Sequence, residues 1–123
     1  MNVLLDTSVW IRHFRKLNTD VIRLLKNELV VSHDFVVAEL ACRSLKARRE
    51  TIGYLKALIT LPAMSVNEVM MLIEAKELYS RGIDLIDAQL LASILVTPDT
   101  LIWTFDSRLE QVAIELDISY AAN

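Results

Sequence analysis

The chain has 123 residues, of which 54% are hydrophobic and 24% are charged, and its net charge is −3. This length and apolar content fit one folded domain with a buried core and exclude a disordered chain. The single cysteine excludes an internal disulfide and a zinc site built from several cysteines, so a reducing cytoplasm is the expected location.

Short apolar runs alternate with amphipathic stretches along the chain. The first residues lack a basic segment, which argues against a signal peptide, and no apolar run is long enough to span a membrane. The pattern predicts strands at 3–5, 29–31, 101–104 and 118–120, with an ambiguous one at 61–65. It predicts helices at 9–14, 20–27, 32–45, 48–58, 67–81, 86–96 and 107–116. Apolar strands separated by helices indicate a three-layer α/β/α domain over residues 1–123, with a mainly parallel sheet of about five strands.

Two acids directly follow predicted strands. Asp6 ends the first strand, and Asp106 comes two residues after the strand at 101–104. In an open parallel sheet the carboxyl ends of the strands form the ligand-binding edge, so these acids should lie close together. Either could instead cap the helix that follows it, a role that Asp fulfils well.

Two further acids lie on apolar helix faces. Glu39 has apolar neighbours on both sides, and a buried carboxylate is costly unless it is paired or bound to a cation. Its alternative role is an ion pair with Arg43. Asp87 shares its helix face with leucine and isoleucine side chains, and its alternative role is a capping box with Asp84.

Four converging carboxylates repel one another unless a cation lies between them. Mg²⁺ and Mn²⁺ prefer oxygen ligands, and such ions lower the pKa of a bound water and stabilise charge on a phosphate. The hydroxyls of Thr7, Ser8 and Thr104 could orient the waters of such an ion. Hydrolysis of a phosphodiester bond fits this set of residues. The acidic pI of about 5.3 counts against a nucleic-acid binder, although bound cations would offset it.

The same residues resemble the four sequence motifs of PIN domains. These motifs read VLLDTSVWI at 3–11, VAEL at 37–40, GIDLIDAQLLA at 82–92 and LIWTFDSRL at 101–109. The chain most resembles VapC-type toxins of bacterial toxin–antitoxin pairs. Phe105 departs from the pattern, because close relatives often have a basic or polar residue there. Asp84 adds an acid beside Asp87, which leaves the choice of ligand between them as a preference for Asp87.

The resemblance implies a Mg²⁺- or Mn²⁺-dependent endoribonuclease that forms a homodimer and is inhibited by a small antitoxin protein. The acids implied as catalytic and metal-binding are Asp6, Glu39, Asp87 and Asp106. Basic side chains that could contact RNA are Arg12, Arg15, Lys16, Arg43 and Lys46, although they could equally be solvated helix ends. Two alternative functions stay open, a catalytically inactive PIN-like binding module and, with less support, a phosphoacceptor signalling domain.

Overall fold

The computed structural model describes residues 1–121, in which short strands alternate with helices as the sequence predicts. The elements in chain order are β1 (Asn2–Leu5), α1 (Thr7–Arg15), α2 (Thr19–Lys26), β2 (Val30–Val31), α3 (Asp34–Ala41), α4 (Arg48–Ala57), α5 (Val66–Ala75), α6 (Leu85–Leu95), β3 (Thr100–Trp103) and α7 (Ser107–Glu115). No helix in this part of the chain is both long enough and apolar enough to cross a membrane.

The central sheet contains three parallel strands in the order β2-β1-β3. The middle strand is completely enclosed, since Val3, Leu4 and Leu5 have no exposed surface. A strand buried on both faces explains why this stretch is apolar without alternation. Leu5 at the end of β1 pairs with Trp103 at the end of β3, so both strands finish at the same edge of the sheet.

The predicted count of about five strands is corrected to three. Beyond β2 and β3 the parallel pairing continues through one residue pair on each side, Ser32 with Thr60 and Ile102 with Ser119. The first of these pairs lies just before the segment predicted at 61–65, whereas the second lies in the middle of the segment predicted at 118–120. Pro62 has no backbone N–H to donate, which helps to end the pairing after Thr60.

Two helices are shorter than predicted, because contacts made by residues beyond their ends stop them early. The helix expected over 67–81 stops at Ala75. Just beyond it Glu77 adopts a left-handed backbone with φ 50°, and Leu78 turns into the core. The helix expected to reach residue 45 stops at Ala41, and the side chain of Arg48 donates to the Ala41 carbonyl at 2.6 Å. Capping of this kind satisfies carbonyls that have no partner within the helix.

Candidate functional site

Asp6 lies at the carboxyl end of β1, and its side chain is held by two hydroxyls. The Oδ2 atom accepts hydrogen bonds from Thr104 Oγ1 at 2.8 Å and from Ser8 Oγ at 3.0 Å. Asp6 occupies the N-cap position of α1, yet its side chain makes no capping bond. The capping alternative for Asp6 is therefore wrong. A carboxylate that is only 7% exposed and faces no cation in residues 1–121 is costly without a ligand.

Asp106 lies beyond the end of β3 and contacts the Thr104 hydroxyl, which also binds Asp6. Its backbone N–H donates to Thr104 Oγ1 at 3.0 Å, so one threonine contacts both acidic residues. Its Oδ1 atom accepts from the N–H groups of Arg108 and Leu109 and caps α7. Asp106 therefore does cap α7, as the alternative predicted, but only one oxygen of its carboxylate takes part.

Asp87 lies in the first turn of α6 and shares a capping box with Asp84. Asp84 Oδ1 accepts from the Asp87 N–H at 2.8 Å, and Asp87 Oδ2 accepts from the Asp84 N–H at 3.2 Å. The pKa of Asp87 is raised to about 7, mainly because burial penalises the charged form and also because Asp84, Asp6 and Asp106 are nearby charges. Asp87 is thus both a helix cap and a member of a group with Asp6 and Asp106.

Glu39 joins the group through a hydroxyl of α1. Its Oε1 atom accepts from Thr7 Oγ1 at 2.7 Å, and Thr7 directly follows Asp6 in the chain. No ion pair joins Glu39 to Arg43 among the residues that the structure describes, so that alternative is wrong. Glu39 is therefore linked to the acidic group through Thr7, the residue next to Asp6.

The four carboxylates share one feature. In each, a single oxygen takes all the hydrogen bonds that residues 1–121 offer, and the second oxygen takes none. Oxygen donors of this type suit a hard divalent cation. No three His, Cys, Asp or Glu side chains in the described chain are close enough together, as they stand, to hold a metal ion.

The PIN domain family model matches residues 3–115, which is nearly the whole chain. The chain belongs to the PIN domain family. Among curated proteins, it is 34% identical over 119 residues to ribonuclease VapC32 from two strains of Mycobacterium tuberculosis. These alignments cover 97% of this chain and 96% of each relative. Membership of the PIN family leaves the phosphoacceptor alternative without support.

The basic residues of this PIN domain divide between two places. Arg15, Arg43 and Lys46 line a cavity of about 920 Å³ between the ends of α1 and α3, away from the four acids. Lys16 is exposed at the end of α1. Arg12 lies apart from these residues, and its guanidinium lies over the ring of Phe105 at 4.1 Å from the centroid.

Two arrangements at the acidic edge were missed by sequence reasoning. One is the stack of Arg12 on Phe105, which joins residues far apart in the sequence. The other is the contact of Arg108 with Gly82, where a Cβ on the glycine would lie 2.4 Å from Arg108 Cδ. Gly82 has φ +76°, a conformation that other residues rarely adopt. The glycine that opens the third motif was the available signal for this contact.

Proposed function

We propose that this PIN domain is a metal-dependent endoribonuclease, acting as one nuclease domain over residues 1–123. The observation that carries the proposal is a set of four carboxylate oxygens at one edge of the sheet that accept no hydrogen bond from residues 1–121. The raised pKa of Asp87 supports it, because a site that disfavours a further negative charge is one that a cation would stabilise. The name of the curated relatives, ribonuclease VapC32, agrees with RNA as the substrate.

The proposed ligands are Asp6, Asp87 and Asp106, with Glu39 assisting, and the proposed ion is Mg²⁺ or Mn²⁺. When bound, such an ion lowers the pKa of a water and stabilises the charge that develops on the phosphate. The chain's own contribution is orientation. Ser8 and Thr104 fix one oxygen of Asp6, and Thr7 fixes one oxygen of Glu39, so the remaining oxygens are held ready for the cation.

We propose in addition that the protein is the toxin of a toxin–antitoxin pair and inhibits translation or growth by cutting RNA until a small antitoxin binds it. The resemblance to VapC-type toxins supports this role and a homodimer. Exposed apolar side chains on α5 offer a surface for a partner, since Met70 is 57% and Met71 is 71% exposed.

Replacement of Asp6 by asparagine tests the central proposal. Purified wild-type protein incubated with total cellular RNA and Mn²⁺ should give discrete fragments, and Asp6→Asn should reduce the cleavage rate by about 100-fold or more. The fragments are resolved on a denaturing gel and mapped by sequencing of their ends. A chelator added to the wild type should abolish cleavage to the same extent.

The matched control is Glu74→Gln, which neutralises an exposed acid on α5 whose side chain has no hydrogen-bond partner among residues 1–121. Its cleavage should equal that of the wild type. Fragments that persist unchanged in Asp6→Asn, or that survive the chelator, would come from a contaminating nuclease and would contradict the proposal.

A specific observation favours the alternative, a catalytically inactive PIN-like binding module. As the side chains stand, the described residues offer no set of three metal ligands. We expect the repelling carboxylates to move together once a cation binds. Calorimetric titration with Mn²⁺ near neutral pH separates the two cases, since an inactive module would give no binding heat.

A further inference from the structure

The stack of Arg12 on Phe105 places a positive charge on the residue that directly precedes Asp106 in the chain. Phe105 lies between Thr104, which donates to Asp6, and Asp106. Arg12 reaches this point from α1, one turn after Ser8, which also donates to Asp6. The guanidinium therefore lies next to the residues that form the carboxylate edge, although it belongs to a different element.

The aromatic ring under Arg12 is fixed in position. Phe105 is half-buried and meets the Trp103 ring at 5.7 Å in an edge-to-face arrangement. Its backbone N–H donates to Ser8 Oγ at 3.0 Å, so the hydroxyl that contacts Asp6 also fixes Phe105. A guanidinium over such a ring is attracted by the electrons of its face. The stack consequently orders a long side chain that would otherwise sample many rotamers.

The N–H groups of Arg12 have no acceptor within the described chain. Its side chain makes no hydrogen bond and no ion pair in residues 1–121. Stacking uses the flat face of the guanidinium and leaves its five N–H donors at the rim. These donors are suited to two parallel hydrogen bonds with the oxygens of a phosphate.

We propose that Arg12, held by Phe105, binds a phosphate of the RNA backbone and positions the strand against the carboxylates. The inference rests on the proposed ribonuclease function and deepens it by naming a residue that holds the substrate. A basic group beside Asp106 is thereby supplied from α1, in a chain where position 105 itself is apolar. Arg12 is a substrate-positioning residue and Phe105 acts only through it.

Binding of a fluorescein-labelled single-stranded RNA 12-mer of mixed sequence tests the proposal by anisotropy. All samples contain Mn²⁺ and the Glu39→Gln change, so that the RNA is not cut during the measurement. Arg12→Ala should weaken binding by about tenfold, and the salt dependence of log Ka should become shallower by about 0.7, the value of one lost phosphate contact on a single strand.

Phe105→Leu removes the ring but keeps an apolar side chain, and it should weaken binding by about threefold. The double variant should bind no more weakly than Arg12→Ala alone, because Phe105 acts through the arginine. Arg12→Lys keeps the positive charge but loses the planar guanidinium. Its RNA affinity should lie between those of wild type and Arg12→Ala. Thermal melting of each variant shows whether it is folded.

The matched control is Lys26→Ala, which removes one exposed charge at the end of α2, just before β2 and hence at the opposite edge of the sheet. It should leave affinity and salt slope unchanged. The inference is overturned if Arg12→Ala binds like Lys26→Ala, or if the double variant shows independent losses. Those results would assign Arg12 to another partner. Failure of the ribonuclease function shows separately, as absence of RNA cleavage by the protein with Glu39 intact.

Discussion

Asp87 takes part both in helix capping and in the acidic group. Its Oδ2 atom is occupied by the Asp84 N–H, and burial together with the charges of Asp84, Asp6 and Asp106 raises its pKa to about 7. The ordinary value is 3.8. Between these two values the folded chain holds a proton that the unfolded chain has lost, so the contribution of Asp87 to the stability of the metal-free protein falls as pH rises from about 4 to about 7.

Asp87→Asn should remove this loss, because an amide has no charge to bury and can still accept from the Asp84 N–H. Above about pH 7, without metal, we expect the variant to be more stable than wild type by about 1–2 kcal/mol. This is less than the full pKa shift implies, because solvent screens a partly exposed carboxylate. At about pH 4 the gain should vanish. Urea unfolding with a chelator at several pH values measures both. A gain that does not change with pH would contradict this account.

The positions of individual acids could be predicted better than their contacts. Asp6 and Asp106 follow strands of a parallel sheet, so their shared edge follows from topology alone. The roles of the two differ because Thr104 donates to Asp6 from 98 residues away, whereas Asp106 has the free N–H groups of α7 beside it. Such long-range partners leave no periodic signal in a sequence.

A chain of polar contacts joins two helices to the segment before α5. His33 lies two residues after β2 and is the N-cap residue of α3. Its Nδ1 atom accepts a hydrogen bond from the Phe35 N–H. Its Nε2 atom lies 2.9 Å from Ser93 Oγ on α6, and Ser93 donates to Gln89 Oε1. Gln89 exchanges two hydrogen bonds with the backbone of Met64. This chain connects α3, which carries Glu39, with α6, which carries Asp87.

His33→Asn tests the connection between α3 and α6. Asparagine still caps α3 but cannot reach Ser93, so the free energy of unfolding should fall by about 1–3 kcal/mol near pH 7.5. Burial lowers the pKa of His33, so the contribution of its neutral imidazole to stability is lost as pH falls below about 6.5, and the difference in stability between wild type and variant should shrink there. Denaturant unfolding across this pH range checks both statements.

Ser93→Ala is the control for the histidine, because it breaks the same contact but keeps the imidazole. It should lower stability while leaving the acid dependence as steep as in wild type. Equal flattening in both variants would mean that His33 is not the titrating group. The pH dependence that remains in His33→Asn includes His13, whose pKa burial also lowers, and Asp87, whose pKa burial raises.

The elements themselves were largely predictable, and their ends were not. Apolar runs identified β1, β2 and β3, because buried parallel strands need such runs. The end of α5 depended on Leu78 turning into the core, and the end of α3 depended on Arg48 reaching back to it. Both are tertiary contacts that override a continuing helical pattern.

At the scale of the whole molecule, the proposed ligands come from segments distant in sequence. Asp6 follows β1, Glu39 lies on α3, Asp87 on α6 and Asp106 at the start of α7. A cation that binds this set only in the folded chain must stabilise the fold as a whole.

Melting curves should therefore respond to metal. With Mn²⁺ at about 100 times its Kd, stability should rise by about 2.7 kcal/mol and Tm by on the order of 10 °C. Asp6→Asn should show a much smaller shift at the same concentration. Scanning calorimetry makes the comparison, and an equal rise in wild type and variant would place the ion elsewhere.

The chain's single thiol lies in a useful position. Cys42 is exposed, ends α3 and lines the same cavity as Arg15 and Arg43. A maleimide dye can therefore be attached at one known point without engineering. Its emission would report a partner that fills the cavity, whereas RNA held at the carboxylate edge would be followed by its own label. With two dyes of different emission, one experiment would then show whether the partner and the RNA bind at the same time or exclude each other.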